Sequence, residues 1–171
     1  SFRERTRANV KIEDGCESKC TYCTIPAARG NIRSKPFEDV IDEVKKLTYG
    51  GCREVVLTGI ETGSYGDDLG DGEDLASLLC EIDKIDGIGR VRLGSLDPTV
   101  IKPDFVNKIK DLKSVAPHFH LSLQSGSDAV LARMKRKYNS ARAMKSISLL
   151  FFERALALLR FAVCRFSKCI L

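Results

Sequence analysis

The chain has 171 residues, of which 43% are hydrophobic and 30% are charged, a balance typical of one soluble globular domain. No secretory signal is recognised, which argues against a disulfide framework, so the seven cysteines are expected to be thiols or metal ligands. The net charge of +5 is uneven: residues 1–128 carry 18 Lys and Arg against 22 Asp and Glu, whereas residues 129–171 carry ten basic residues against Glu153 alone. A basic end indicates nucleic acid or an anionic surface, or a solvated or non-native end. Because the chain begins at Ser1 rather than Met, we expect a fragment or a processed product.

Strand-like and helix-like runs alternate between Val10 and about Arg136. The predicted strands are 9–14, 53–59, 90–95 and 118–126, and the predicted helices are 36–51, 73–85 and 103–112. The first helix is the clearest, because its apolar residues recur every three or four positions and Pro36 suits its first turn. This order predicts parallel βα units. The predicted fold class is therefore α/β, a partial (βα) barrel of about four units, with chemistry in the loops that follow the strands.

The chain changes character after Tyr138. All 13 glycines and all five prolines precede residue 127, so residues 139–171 contain no turn signal. Their apolar run is interrupted by Glu153, Arg154 and Arg160, which makes it a poor membrane span. We interpret it as an atypical C-terminal helical tail, either a core or interfacial helix or an aberrant end.

Three cysteines lie close together in the stretch DGCESKCTYC. Cys16, Cys20 and Cys23 have the spacing C-x3-C-x2-C, and no second pair follows nearby to complete a four-ligand zinc site. Three thiolates suit a [4Fe–4S] cluster whose fourth iron is open to an amino and carboxylate chelate. Gly15 lets the backbone wrap closely, and Arg29 offsets anionic charge. Zinc or idle thiols remain the alternative.

These cysteines belong to a longer set of motifs that resembles a known family. The motifs are VKIEDGCESKCTYCTIPAARGNIRSKP, VVLTGIETGSYG, RLGSLDP and HFHLSLQSGSDAVLARMKRKY. With Tyr22 before the third cysteine, the chain resembles the radical S-adenosylmethionine (SAM) superfamily. Over about residues 7–138 it resembles the tRNA methylthiotransferases, and most closely the branch that modifies threonylcarbamoyladenosine at position 37. The barrel is then expected to be of the radical SAM type.

The resemblance implies a role for particular residues. The implied ligands of the [4Fe–4S] cluster are Cys16, Cys20 and Cys23. The implied residues around S-adenosyl-L-methionine are Tyr22 by the adenine, Thr58 and Gly59 at the methionine amino group, Ser95 at the ribose, and Gln124. A 5′-deoxyadenosyl radical would abstract hydrogen from carbon 2 of the adenine, and a methylthio group would be inserted. No catalytic side chain is assigned.

The resemblance also implies a domain order. Residues 1–9 are expected to be a linker from an N-terminal domain, residues 10–138 an incomplete radical SAM domain, and residues 139–171 an atypical basic and apolar tail. The expected partners are tRNA, bound through the complete enzyme, and an electron donor. We expect a cytoplasmic protein that does not bind a membrane. We expect this chain alone to be inactive. The alternatives are a radical SAM fragment with a different substrate, or an inactive truncated metal-binding fragment.

Some residues depart from the family pattern or have an open role. Ala27 stands where tyrosine is usual, and Glu61 where asparagine or histidine is common. Cys164 and Cys169 match nothing in the family pattern. Cys52 and Cys80 are expected to be small core residues.

Other polar residues allow two interpretations. His118 and His120 are expected in a polar layer inside the barrel, and Arg92 could point inward and pair with an acidic strand residue such as Glu13. RMKRKY (133–138) could contact RNA phosphates or be a charged helix end. GDDLGDGED is expected to be a solvated turn, because Leu69 breaks the calcium pattern.

Overall fold

The computed structural model describes residues 7–70 and 72–154. The predictions for the start of the linker, for Asp71, and for Cys164 and Cys169 lie outside the described residues. The described strands are β1 (Arg7–Lys11), β2 (Glu13–Asp14), β3 (Arg33–Ser34), β4 (Glu54–Thr58), β5 (Arg90–Leu93), β6 (Ser95–Leu96) and β7 (His120–Leu121). The described α-helices are α1 (Ile25–Arg29), α2 (Phe37–Tyr49), α3 (Leu75–Asp83), α4 (Pro103–Ile109), α5 (Asp128–Arg133) and α6 (Ser140–Arg154).

The sheet is parallel where the βα alternation predicted it. Strands β1, β4 and β5 are neighbours in that order, and both pairs are parallel. A parallel bridge from Val91 to Val115 continues the sheet, and β6 pairs in parallel with β7. Only His120 and Leu121 of the predicted strand 118–126 are in ladder pairing, because the chain turns soon after β7. Helices α2, α3 and α4 cross between successive strands, as expected for parallel connections.

The two faces of the sheet differ in polarity because side chains alternate along a strand. In β1, Ala8 and Val10 are buried while Arg7 and its alternate neighbours are exposed. The buried face packs against the helices, and α2 contributes the apolar residues that its periodicity predicted: Val40, Ile41 and Val44. The opposite face is mostly polar.

The polar face contains an ion-pair group in which the partner of Arg92 differs from the residue suggested by the sequence. Arg92 donates to Glu54 at 2.8 Å, and Arg7 pairs with the same carboxylate at 2.7 Å. Arg92 thus pairs with an acidic strand residue, as suggested, but the partner is Glu54 and not Glu13. Register explains the difference, because Arg92 lies opposite Val56, diagonally beside Glu54, whereas Glu13 lies beyond the end of β1.

Helix α6 packs onto the barrel layer. Leu150 and Ser146 are fully buried, and the Ser146 hydroxyl donates to the Pro98 carbonyl at 2.7 Å. Arg142 donates to the carbonyls of Thr99 and Ile101, both at 3.2 Å. The described core thus extends to Leu150, while the domain boundary expected after residue 138 stays a prediction. Within the described part of the chain, every helix is too short or too polar to cross a lipid bilayer.

Replacement of Ser146 by alanine measures how much α6 contributes to the domain. We expect the free energy of unfolding to fall by about 1 kcal/mol, because the buried Pro98 carbonyl loses its shorter hydrogen bond and keeps only the one from the Ile101 amide. Urea denaturation gives the value. Ser148→Ala is the matched control, since it makes the same chemical change at a half-buried position of the same helix. Equal stabilities of the two variants would contradict a structural role for this contact.

Candidate functional site

The cysteine loop follows β2 and is closed by backbone contacts. Gly15 has a φ of +87°, and a Cβ built there would lie 2.0 Å from the Asn31 carbonyl oxygen. The next amide, of Cys16, donates to the Gly30 carbonyl at 3.1 Å. A glycine at position 15 is therefore required both by the backbone conformation and by the close approach of the backbone at Asn31. Asp14, beside it, pairs with Arg29 at 3.6 Å, so this arginine does lie against an anionic group.

The three thiols are free and half-buried on this one loop. The Ser18 amide donates to the Cys16 sulfur at 3.4 Å, and the Cys23 amide donates to the Cys20 carbonyl at 3.1 Å. Among residues 7–70 and 72–154, no three His, Cys, Asp or Glu side chains already converge as a metal-binding group. The fit to an iron–sulfur cluster thus depends on donor chemistry, because three unpaired thiols on a glycine-hinged loop are the ligand type that such clusters take.

Tyr22 lies between two of the thiols in sequence and is 52% exposed. Partial burial raises the pKa of its phenol, with Cys20 contributing in the same direction and Arg136 opposing it. The exposed ring is therefore available at the edge of the loop, next to a buried cation. This is the position in which a ligand ring can stack.

A buried carboxylate supports the turn after β4. Glu13 is 1% exposed, and its Oε2 accepts from the Glu61 amide at 3.0 Å. A Cβ at Gly59 would lie 2.3 Å from the same oxygen, so only glycine fits there without movement. Burial raises the pKa of Glu13, while hydrogen bonds from the Ile60 and Glu61 backbone oppose the rise. Thr58 and Gly59 are thereby held next to the start of the cysteine loop.

Glu61 links this turn to the loop after β6. Its Oε1 accepts from the Asp97 amide at 2.9 Å and from the Gly63 amide at 3.4 Å. Burial raises the pKa of Glu61 to about 7, and the neighbouring charge of Asp97 acts in the same direction. Glu61 thus fixes two loops at the carboxyl ends of parallel strands. This contact gives Glu61 a structural role, which the sequence had left open.

The raised pKa of Glu61 predicts a pH dependence of stability. An acid whose pKa is higher in the folded state destabilises the fold as pH rises from the unfolded value of 4.5 to about 7, because the folded chain then has to release a proton it holds more tightly. We expect Glu61→Gln to be more stable than the wild type by about 3 kcal/mol at pH 8 and within about 1 kcal/mol of it at pH 5. Glutamine retains the oxygen that accepts both backbone hydrogen bonds.

Urea denaturation of both proteins at several pH values measures this difference. Glu38→Gln, the same chemical change at an exposed position in the first turn of α2, is the control. A Glu61→Gln variant whose stability follows the wild-type pH curve would show that Glu61 does not titrate in this range.

Strands β6 and β7 bring two serines together. The hydroxyls of Ser95 and Ser122 are 2.5 Å apart, and Tyr138 donates to the Ser122 carbonyl at 2.6 Å. Gln124 follows with a φ of +58° and an exposed side chain, so the chain turns sharply here. Ser95 begins β6, just beyond the end of β5, and Gln124 lies three residues beyond the end of β7. The Thr62 hydroxyl, in the turn after β4, donates to the Ser95 carbonyl at 3.0 Å, which joins this region to that turn.

The histidines and the acidic loop take simpler positions. His118 is half-buried and His120 is exposed, while Phe119 between them is buried against the core. Asp68, in the acidic loop, accepts from the Ser34 amide at 2.9 Å. A groove of about 490 Å³ between the ends of α2 and α3, lined in part by Tyr49, lies at the opposite end of the strands from the cysteine loop.

Four residues of the site were missed or misjudged from the sequence: Glu13, Asp97, Arg136 and Tyr138. Neither interpretation of RMKRKY, an RNA contact or a charged helix end, anticipated that the Arg136 side chain is 9% exposed and pairs with Asp97 at 2.6 Å. The RNA contact stays a prediction for the exposed Lys135 and Lys137. The only signal in the sequence was that Asp97 and Arg136 both fall inside the family-like motifs.

Comparison with known proteins identifies the family. The family model described as the Radical SAM superfamily matches residues 10–151. The chain belongs to the radical SAM superfamily. The resemblance noted in the sequence and the partial (βα) barrel of the radical SAM type are both confirmed.

Two curated relatives of this radical SAM domain show how far the similarity extends. Threonylcarbamoyladenosine tRNA methylthiotransferase MtaB of Thermotoga maritima is 45% identical over 148 residues, which is 86% of this chain and 34% of that protein. Ribosomal protein uS12 methylthiotransferase RimO of Kineococcus radiotolerans is 43% identical over 129 residues, which is 75% of this chain and 26% of that protein. The radical SAM domain thus spans between a quarter and a third of the length of these relatives.

A solved structure of low identity shares the fold. The radical S-adenosylmethionine methyltransferase TsrM from Kitasatospora setae, with cobalamin and a [4Fe-4S] cluster bound, matches with a TM-score of 0.70 at 16% identity. The match covers 90% of this radical SAM domain and 30% of that chain. At this identity it shows the architecture alone.

Proposed function

We propose that this chain is the radical SAM domain of a tRNA methylthiotransferase, which adds a methylthio group to carbon 2 of threonylcarbamoyladenosine next to the anticodon. The observation that carries this proposal is the 45% identity over 86% of the chain to an enzyme named for that substrate. The three free thiols on one loop support it from the chemistry of the site. Because the chain is a third of that relative, we expect the activity to require the rest of the protein.

The proposed cofactors are a [4Fe–4S] cluster and S-adenosyl-L-methionine. When bound, the cluster supplies the electron for reductive cleavage of S-adenosylmethionine. Cys16, Cys20 and Cys23 would hold the cluster as thiolates, with Gly15 allowing the loop to close around it. The residues proposed to bind S-adenosylmethionine lie on the loop and on the following strand ends: Tyr22, Thr58, Gly59, Ser95 and Gln124.

The described contacts indicate what the chain contributes to binding. The carboxylate of Glu13 orders the turn at Gly59, so backbone groups there keep a fixed orientation. Ser95 is oriented by its contact with Ser122, and Tyr22 presents an exposed ring beside Cys20. The turn at Gly59 lies at the carboxyl end of the parallel strand β4, which is where βα folds bind ligands.

We also propose the surroundings of the domain. Residues 1–9 would link to an N-terminal domain, residues 10–138 would form the incomplete radical SAM domain, and residues 139–171 would be an atypical tail. The partners would be tRNA, engaged through the complete enzyme, and an electron donor. A tRNA substrate supports a cytoplasmic location.

Electron paramagnetic resonance of the anaerobically reconstituted and reduced chain tests the radical SAM part of the proposal. We expect a [4Fe–4S]⁺ signal that changes on addition of S-adenosylmethionine, because one iron is open to the methionine chelate. A signal indifferent to S-adenosylmethionine would contradict cofactor binding by this chain, and absence of a cluster would contradict the ligand assignment.

The substrate needs a separate experiment, since a relative at 43% identity is named for a ribosomal protein. A different radical SAM substrate is therefore the second candidate function. The gene that contains this chain is expressed in a host lacking both methylthio modifications, and mass spectrometry is applied to its digested tRNA and to its uS12 protein. A methylthio group on threonylcarbamoyladenosine supports the proposal, whereas one on uS12 would overturn it in favour of the second candidate.

A further inference from the structure

Arg136 occupies a buried position directly after α5. Its side chain is 9% exposed, although it lies in the basic sequence RMKRKY, whose neighbours Lys135 and Lys137 are exposed. An arginine is rarely buried to this degree unless its charge is paired and hydrogen-bonded. The environment of Arg136 therefore indicates a specific role for this cation.

The guanidinium joins three parts of the site. Its Nη1 donates to the sulfur of Cys20 at 3.3 Å, and its Nη2 donates to Asp97 at 2.6 Å and to the Ser122 carbonyl at 3.4 Å. The guanidinium carbon, Cζ, lies 5.1 Å from the centre of the Tyr138 ring. One planar group thus holds the cysteine loop, the loop after β6 and the end of β7 in a fixed arrangement.

The cysteine loop is also attached to the backbone just before Arg136. The Thr21 hydroxyl donates to the Arg133 carbonyl at 3.1 Å, and the Thr21 amide donates to the Met134 carbonyl at 3.3 Å. Three independent contacts therefore dock the loop on the end of α5. The sulfur contact of Arg136 is therefore one of several contacts between the same two segments.

The contact also has an electrostatic consequence. The Arg136 charge lies against the Cys20 sulfur, while the carboxylate that balances it belongs to Asp97. Among the described residues, the buried Nε of Arg136 has no hydrogen-bond partner, so one further N–H is oriented within the same site. A fixed positive charge and an N–H···S hydrogen bond at a cluster ligand both favour the more negative, reduced state of an iron–sulfur cluster.

We propose that Arg136 is a positioning residue that orients Cys20 as a cluster ligand and raises the reduction potential of the cluster. Asp97 partly neutralises the charge of Arg136 and so limits this rise in potential. This inference depends on the proposed cluster site. Arg136 acts through Cys20 and takes no part in the bond changes at S-adenosylmethionine.

The test measures iron content and the cluster midpoint potential of the anaerobically reconstituted chain, by redox titration followed with electron paramagnetic resonance. We expect Arg136→Gln to take up less iron and to have a more negative potential than the wild type. Arg136→Lys, which keeps the charge, should recover most of the potential but not the full iron content, because lysine cannot make the forked contacts. Arg133→Gln, at an exposed position on the same helix end, should match the wild type.

A second variant keeps the test decisive if Arg136→Gln does not fold. Asp97→Asn removes the balancing charge while keeping an oxygen for the Thr99 amide, and it should shift the potential in the positive direction. A merely structural role would not produce shifts of opposite sign. Wild-type potentials in folded Arg136→Gln, or no positive shift in Asp97→Asn, would overturn the inference alone. Failure of the wild type to bind a cluster would instead overturn the proposed function, and this inference with it.

Discussion

Replacement of Cys20 by alanine is expected to abolish assembly of the iron–sulfur cluster. Three thiolates are proposed to hold the cluster, and loss of one leaves two ligands and deprives Arg136 of its sulfur partner. Even loss of a supporting contact reduces metal affinity by about 10- to 100-fold, so loss of a direct ligand should leave little cluster bound. Iron and acid-labile sulfide are measured after anaerobic reconstitution.

Cys80→Ala is the matched control for this prediction. Cys80 lies on α3, half-buried, with its sulfur 3.8 Å from the Lys108 carbonyl oxygen, and it is not among the proposed ligands. We expect the control to take up as much iron and sulfide as the wild type. Full cluster content in Cys20→Ala, or equal losses in the two variants, would contradict the ligand assignment.

Replacement of Gly15 by alanine is expected to destabilise the domain more than any surface substitution. The left-handed conformation alone costs a non-glycine residue about 1–2 kcal/mol. The added Cβ would also lie 2.0 Å from the backbone oxygen of Asn31, which cannot move without breaking the contact between Cys16 and Gly30. Together these effects should lower the free energy of unfolding by about 3 kcal/mol or more.

Thermal and urea denaturation of the chain measure this loss, with Gly126→Ala as the control. A Cβ at Gly126 would meet no atom within 4 Å, and its backbone is not left-handed, so the control should remain close to the wild type. We expect Gly15→Ala to lose cluster content as well, because the loop can no longer close. An alanine variant as stable as the control would show that the turn at Gly15 tolerates a side chain.

The site explains why several loops are needed for one ligand set. The cysteine loop, the turn at Gly59 and the loop at Asp97 each follow a different strand, and each is held by a buried carboxylate or by Arg136. The short hydrogen bonds between these loops replace the support that longer secondary structure would give. Substitutions in one loop should therefore alter the orientation of the others.

The sequence allowed two interpretations of the tail, a core or interfacial helix or an aberrant end. For residues 140–150, the packing favours a core helix. Residues 140–150 have no turn signals and only a weak amphipathic pattern, so their partner was not predictable. In the fold, Ser146 and Leu150 lie buried beside the segment that starts at Pro98. The segment that starts at Pro98 is the turn after β6, so its position depends on the sheet rather than on α6.

The sequence by itself determined the order of the βα units, the apolar face of α2 and the grouping of three thiols on one loop. These features are local, because they follow from residue periodicity and spacing within about 15 residues. The family resemblance could be recognised for the same reason, since its motifs are contiguous.

Only the tertiary structure decided which charges meet. Arg136 and Cys20 are 116 residues apart, and their contact depends on how α5 docks on the cysteine loop. The partner of Arg92 is Glu54 because strand register places the two diagonally, and the support for Gly59 is Glu13 because two strand ends converge. Such pairings depend on three-dimensional register and docking, which no local pattern in the sequence encodes.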